Sequence, residues 1–137
     1  MLINGDPVIV PSGIQASPTI LTAASPSPPN GTFTGVKENE DGTLDFDIRE
    51  QTVAILRNVE AIIKHATGDR NGLESIIDAT VFLPHIKAHY AGMNAMWNEF
   101  YPDTDRAPAR TAIGVKELPS PKMIVEIKCI ALVTVEH

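Results

Sequence analysis

Apolar positions recur with two different periods along this chain, and the changes of period mark its elements. Between Asp47 and Gly68, the residues Ile48, Thr52, Ile55, Leu56, Val59, Ile62 and Ile63 follow helical spacing, which predicts an amphipathic helix with one buried stripe. Asp47 can cap its start, with Glu50 three residues on, and Gly68 supplies the stop. A second stripe of Ile86, Tyr90, Met93, Trp97 and Phe100 predicts a helix over "IKAHYAGMNAMWNEFY" (86–101), with these side chains in the core. The rest reads as strands. The short pieces "PVIV" (7–10), "TILTAA" (19–24) and "TFTGV" (32–36) come first, divided by "PSG" and "SPSPPNG". The β-branched run "SIIDATVFL" (75–83) is broken by Pro84, and "RTAIGVKEL" (110–118) is joined to "KMIVEIKCIALVTVE" (122–136) by "PSP".

That last strand is apolar on both sides. Met123, Val125, Ile127, Cys129, Ala131 and Val133 alternate onto one face, and Ile124, Ile130 and Leu132 onto the other. Two helices cover only one face of a sheet, so something else must cover the second. Another copy of the chain is the economical solution, giving a homo-oligomer with sites at subunit interfaces. The order βββαβαββ, without internal repeats, predicts one α+β domain over residues 1–137.

Composition narrows the possibilities. With 43% apolar and 20% charged residues in 137, the chain has the balance of a soluble globular domain. No apolar run approaches the roughly 18 residues of a membrane span, so no membrane partner is expected. The start "MLINGDPVIVPSG" lacks the basic and apolar regions of a signal peptide. Cys129, the single cysteine, cannot form an intrachain disulfide, so a cytoplasmic location and a buried, inert thiol are expected. The net charge of -6 and the lack of a basic cluster argue against nucleic acid as a partner. They do not exclude a small anionic ligand, because one arginine in a cleft outweighs distant screened charge.

Most candidate motifs fail on spacing. In "KENEDGTLDFDIRE", placing Gly42 sixth in a calcium loop puts Lys37 first and Ile48 twelfth, so the stretch reads as a turn. His85 and His89 have helical metal-pair spacing but no evident third ligand. Phosphate loops and hydrolase triads have no supporting motif. Two charges remain in "APARTAIGVKELPSPKMIVEIK" (107–128). Arg110 is either a solvated strand-edge residue or a binder of carboxylate through a two-pronged hydrogen bond. Glu126, flanked by Val125 and Ile127, either faces water beside Lys128 or is a partly desolvated carboxylate suited to moving protons. Antiparallel strands joined at "LPSP" would be neighbours and would bring both charges into one cleft.

The ordered set "QTVAILRNVEAI" (51–62), "DATVFL" with "MNAMWNEFY" (78–101) and "PARTAIGVKELP…VEIKCIA" (108–131) resembles the RidA/YjgF family of imine and enamine deaminases. The resemblance covers roughly residues 17–135. It implies a chorismate-mutase-like α+β fold, a mixed sheet with two helices packed on one face. It also implies a trimer whose sheets form a central barrel, with three sites between subunits. Carried over by position, Arg110 is the substrate-carboxylate arginine and Glu126 the acid that activates water. Asn94 is the helix asparagine near the site, Pro108 and Ala109 present the arginine, and Thr111 offers a backbone N–H. The family's Ser-Gly falls on Thr22-Ala23 or on Thr34-Gly35, and Ala112 stands where many members have cysteine. The stretches "DIREQT" and "LPSPKMIVEIK" are similar to bacterial 2-aminomuconate deaminases. The resemblance thus implies hydrolysis of 2-aminomuconate to 4-oxalocrotonate and ammonia without a metal or organic cofactor, with Lys128, Arg106 or His85 on the distal carboxylate. Alternatives are a generic 2-aminoacrylate/2-iminopropanoate deaminase, a non-catalytic trimeric binder of small keto or amino acids and, weakest, an RNA-directed role.

Overall fold

The computed structural model describes residues 2–3, 6–7, 14–24 and 34–136, with side chains over 34–133. Helix α1 (Ile48–Thr67) begins where the apolar period changes, and Asp47 Oδ1 accepts the Glu50 N–H at 3.0 Å. This satisfies one of the free amide groups of the first turn. Gly68 ends the helix with φ 58°, a left-handed conformation that costs glycine little. Ile55, Leu56 and Val59 are fully buried, and each contributes about 1.5–3 kcal/mol by leaving water. Ile62 departs from the expected stripe and is 40% exposed. It sits at the stripe's margin, one step round the helix from buried Ile63.

Four strands form the main sheet: β3 (Ile14–Ala24), β6 (Ile76–Leu83), β7 (Ala109–Gly114) and β8 (Glu126–Glu136). Two small hairpins, β1 (Leu2–Ile3) with β2 (Asp6–Pro7) and β4 (Val36–Glu38) with β5 (Leu44–Phe46), form separate two-stranded sheets. The acidic stretch around Gly42 is the turn of the second hairpin. Of the expected "PVIV" strand, only Pro7 is among the described residues. "TILTAA" lies within the longer β3. For "TFTGV", Thr34 and Gly35 form a turn, the strand starts at Val36, and residues 32–33 lie outside the described residues.

The sheet order is β3-β8-β6-β7. Strand β7 runs parallel to β6, returned by helix α2 (Ile86–Phe100), while β8 is antiparallel to both β6 and β3. This corrects the expectation that the last two strands are neighbours. A parallel crossover places β7 on the outer side of β6, and β8 takes the inner position. The connection is also longer than "PSP". Residues 115–125 are irregular, so the strands end at Gly114 and start at Glu126.

Both helices pack on one face. There Ala79, Val81, Val125, Ile127, Cys129, Ala131 and Val133 join the helical stripes in a single core. Gly92 lets α2 approach α1, since a Cβ at that position would meet Ile48 Cγ2 at 2.5 Å. Among the described residues no helix covers the opposite face. Ile130, Leu132 and Phe82 are half-buried there, and Ile77 and Ile113 are 43% and 40% exposed. Among the described residues no helix is long and apolar enough to cross a membrane.

Candidate functional site

Arg110 is the second residue of β7 and stands in register with Ala79 of β6. Ala79 is buried under the helices, so Arg110 shares that face and reaches α2. Its Nη2 donates to the Tyr90 hydroxyl at 3.2 Å, and Nη1 lies 4.0 Å from Met93 Sδ. The guanidinium carbon is 5.2 Å from the centre of the Trp97 ring and 5.8 Å from that of Tyr90. These are cation–π distances. Among the described residues no carboxylate pairs with Arg110. Neutral aromatic groups orient the guanidinium without cancelling its charge. Tyr90, expected in the core, is 41% exposed because it sits at the rim beside this arginine.

The other carried-over residues do not all share the face of Arg110. Asn94 is half-buried on α2, one turn beyond Tyr90 and next to Met93. Pro108 is half-buried just before β7. Thr111, in register with Thr80, is exposed on the open face.

Glu126 opens β8. Its neighbours Val125 and Ile127 are fully buried toward the helices, so its side chain faces the other way, opposite Phe82 of β6. It is half-buried there and makes no ion pair with Lys128. Arg110 and Glu126 therefore do not meet within one chain. They lie two strands apart and three residues out of register, about 14 Å between Cα atoms, and on opposite faces. The interposed β6 is the physical reason.

Sequence reading missed Gln51. This side chain is fully buried on α1, and both ends of its amide are used. Nε2 donates to the Lys122 carbonyl at 2.9 Å, and Oε1 accepts the Ile124 N–H at 3.2 Å. Gly35, with φ +69°, packs against it so closely that a Cβ would come within 2.6 Å of Gln51 Cγ. Gln51 thus pins the irregular segment that delivers Glu126 to the sheet. The available signal was a polar residue on the buried side of a helical stripe.

The remaining candidates are dispersed. Thr22-Ala23 pairs with Lys128 and Ile127 beside Glu126, whereas Thr34-Gly35 forms the turn against Gln51. Arg106 is bound to Asp103 at 3.6 Å and its side chain is 88% exposed. Lys128 shares the face of Glu126. His85 lines a cleft of about 780 Å³ with Lys116, Phe46 and Met123, and neither Arg110 nor Glu126 contributes to it. The His85 and His89 rings are 5.9 Å apart, and burial, with the charge of His85 second, holds the His89 pKa below its ordinary value. Among the described residues no group of three possible ligands could hold a metal ion. Burial pushes the Cys129 thiol up to about 11, which suits an inert core residue.

Comparisons with known proteins agree with this architecture. The family model described as Endoribonuclease L-PSP matches residues 31–133. A RutC family protein of Aquifex aeolicus (strain VF5) is 34% identical over 93 residues, which are 68% of this chain and 70% of that protein. A solved YjgF-family structure from Neisseria meningitidis is 26% identical with a TM-score of 0.55, covering 72% of this chain and 74% of that one. The YjgF gene product of E. coli shares the fold at 22% identity, with a TM-score of 0.54 over 90% of this chain and 84% of its own. With three quarters of its length matched by the family model, this chain belongs to the RidA/YjgF family, the family described as Endoribonuclease L-PSP.

Proposed function

We propose that this protein is a cofactor-independent hydrolase that releases ammonia from enamine and imine acids, with 2-aminomuconate the preferred substrate and 4-oxalocrotonate the product. The observation that carries the reading is Arg110: a guanidinium oriented by Tyr90 and Trp97, without an acidic partner among the described residues, at the edge of the sheet. It would take the substrate's α-carboxylate. The enamine then tautomerises to the imine, and Glu126 accepts a proton from the water that attacks the C=N carbon. A C–O bond forms as the C=N π electrons go to nitrogen. Glu126 returns that proton to the nitrogen to give the carbinolamine, then relays the hydroxyl proton to the same nitrogen. The oxygen electrons form the C=O bond as the C–N bond breaks, and ammonia and a 2-keto acid separate. No electrons are exchanged with an outside partner. Of the three cations considered for a distal carboxylate, Lys128 is favoured. It shares the face of Glu126, whereas Arg106 is engaged by Asp103.

Because Arg110 and Glu126 lie on opposite faces of one sheet, the proposed site joins Arg110 of one copy to Glu126 of the next in a cytoplasmic homotrimer. The open face bearing Ile130, Leu132 and Ile113 suits the barrel that such a trimer requires. Co-refolding Arg110→Ala with Glu126→Gln tests this arrangement. Each variant alone is inactive, but an equal mixture regains roughly a quarter of wild-type activity, since random assembly rebuilds one interface in four. Mixtures as inactive as either variant would show that the two residues act from the same copy.

The separation of the two charges also favours a second reading, a trimer that binds small keto or amino acids without turning them over. Binding lost in Arg110→Ala, with no ammonia from 2-aminomuconate or 2-aminoacrylate in the wild type, would support it.

A further inference from the structure

We infer that Tyr90 is a second, specificity-determining donor to the anionic group that Arg110 binds; this rests on the carboxylate-anchor reading of Arg110. A guanidinium has only donors, so at 3.2 Å from Nη2 the Tyr90 oxygen must be the acceptor. The single hydroxyl hydrogen therefore points away from Arg110. Among the described residues nothing accepts it. Tyr90 as a residue is 41% exposed, so its place is not dictated by burial. Contact with the guanidinium holds it there, with the guanidinium carbon 5.8 Å from the ring centre. An unspent O–H thus stands beside an unspent cation. One carboxylate oxygen can take a hydrogen from Arg110 while an oxygen of the same group accepts from Tyr90. Trp97 lies against the guanidinium and limits its swing. The pair selects planar carboxylates over a diffuse anion such as chloride, because only the former presents two oxygens to two differently placed donors.

The test is calorimetric titration with 2-oxopentanoate, a 2-keto acid that carries no leaving nitrogen. Tyr90→Phe keeps the ring on an exposed helix face and removes only the hydroxyl. It weakens binding about ten-fold, the loss expected for one hydrogen bond to a charged group, while Arg110→Ala abolishes binding. If Tyr90→Phe binds as tightly as the wild type and Arg110→Ala does not bind, the Tyr90 role is wrong and the anchor survives. Should Arg110→Ala bind like the wild type, the anchor reading fails and the Tyr90 role with it.

Discussion

Single side chains in this protein carry more than their positions in the sequence reveal. His89 was chosen for its spacing from His85, yet its own ring decides its behaviour. Among the described residues its Nδ1 is buried without a partner, the Phe46 ring packs edge-on at 6.5 Å, and the His85 ring lies 5.9 Å away. Its folded pKa is lowered from 6.5, so protonation favours the unfolded chain. The associated stability is complete above the unfolded value and is lost as pH falls through the folded one. Melting temperature should therefore drop more for the wild type than for His89→Gln between about pH 7.5 and pH 5.5. Equal drops would show that His89 contributes nothing to the acid limb. The charges of Arg110 and Glu126 were legible as anomalies, because a carboxylate between Val125 and Ile127 asks for an explanation. Their surroundings were not, since Tyr90 and Trp97 read as core from periodicity alone.

At the scale of elements, the helices were the most legible part. Capping by Asp47, the stop at Gly68 and both apolar stripes depend on local spacing, and local spacing is what a sequence displays. Sheet order is non-local. Nothing in "RTAIGVKEL" tells whether it pairs with β6 or β8, and the short "PSP" suggested a hairpin that the parallel crossover through α2 precludes. What then fixes the start of β8 is a helix residue more than 70 positions away, Gln51, hydrogen-bonded to Lys122 and Ile124. Gln51→Leu would leave the buried Ile124 N–H and the part-buried Lys122 carbonyl without their partner, at about 1–3 kcal/mol for each buried group. Denaturant unfolding should show a loss of about 2–4 kcal/mol, and turnover should fall further than substrate affinity because the strand carrying Glu126 is freed. A stability change below about 0.5 kcal/mol would mean that water or a neighbour replaces the amide at little cost.

At the scale of the whole molecule, the sheet has one face in the core and one that no described helix covers. The strand apolar on both sides predicted this from sequence. Ile127, Cys129, Ala131 and Val133 are buried by the helices, and Ile130 and Leu132 wait on the other side. The net charge of -6 disfavours the electrostatic attraction on which nucleic-acid binding draws. In the proposed mechanism a second copy would be part of the chemistry and not only of the packing, because Arg110 and Glu126 lie on opposite faces of one sheet. The most direct measurement is single-turnover release of ammonia from 2-aminomuconate by wild type and Glu126→Gln at equal protein concentration. Losing a proton-transfer group should slow release by about 100-fold or more while keto-acid binding at Arg110 persists. Release from Glu126→Gln as fast as from the wild type would contradict the proposal that this carboxylate activates water.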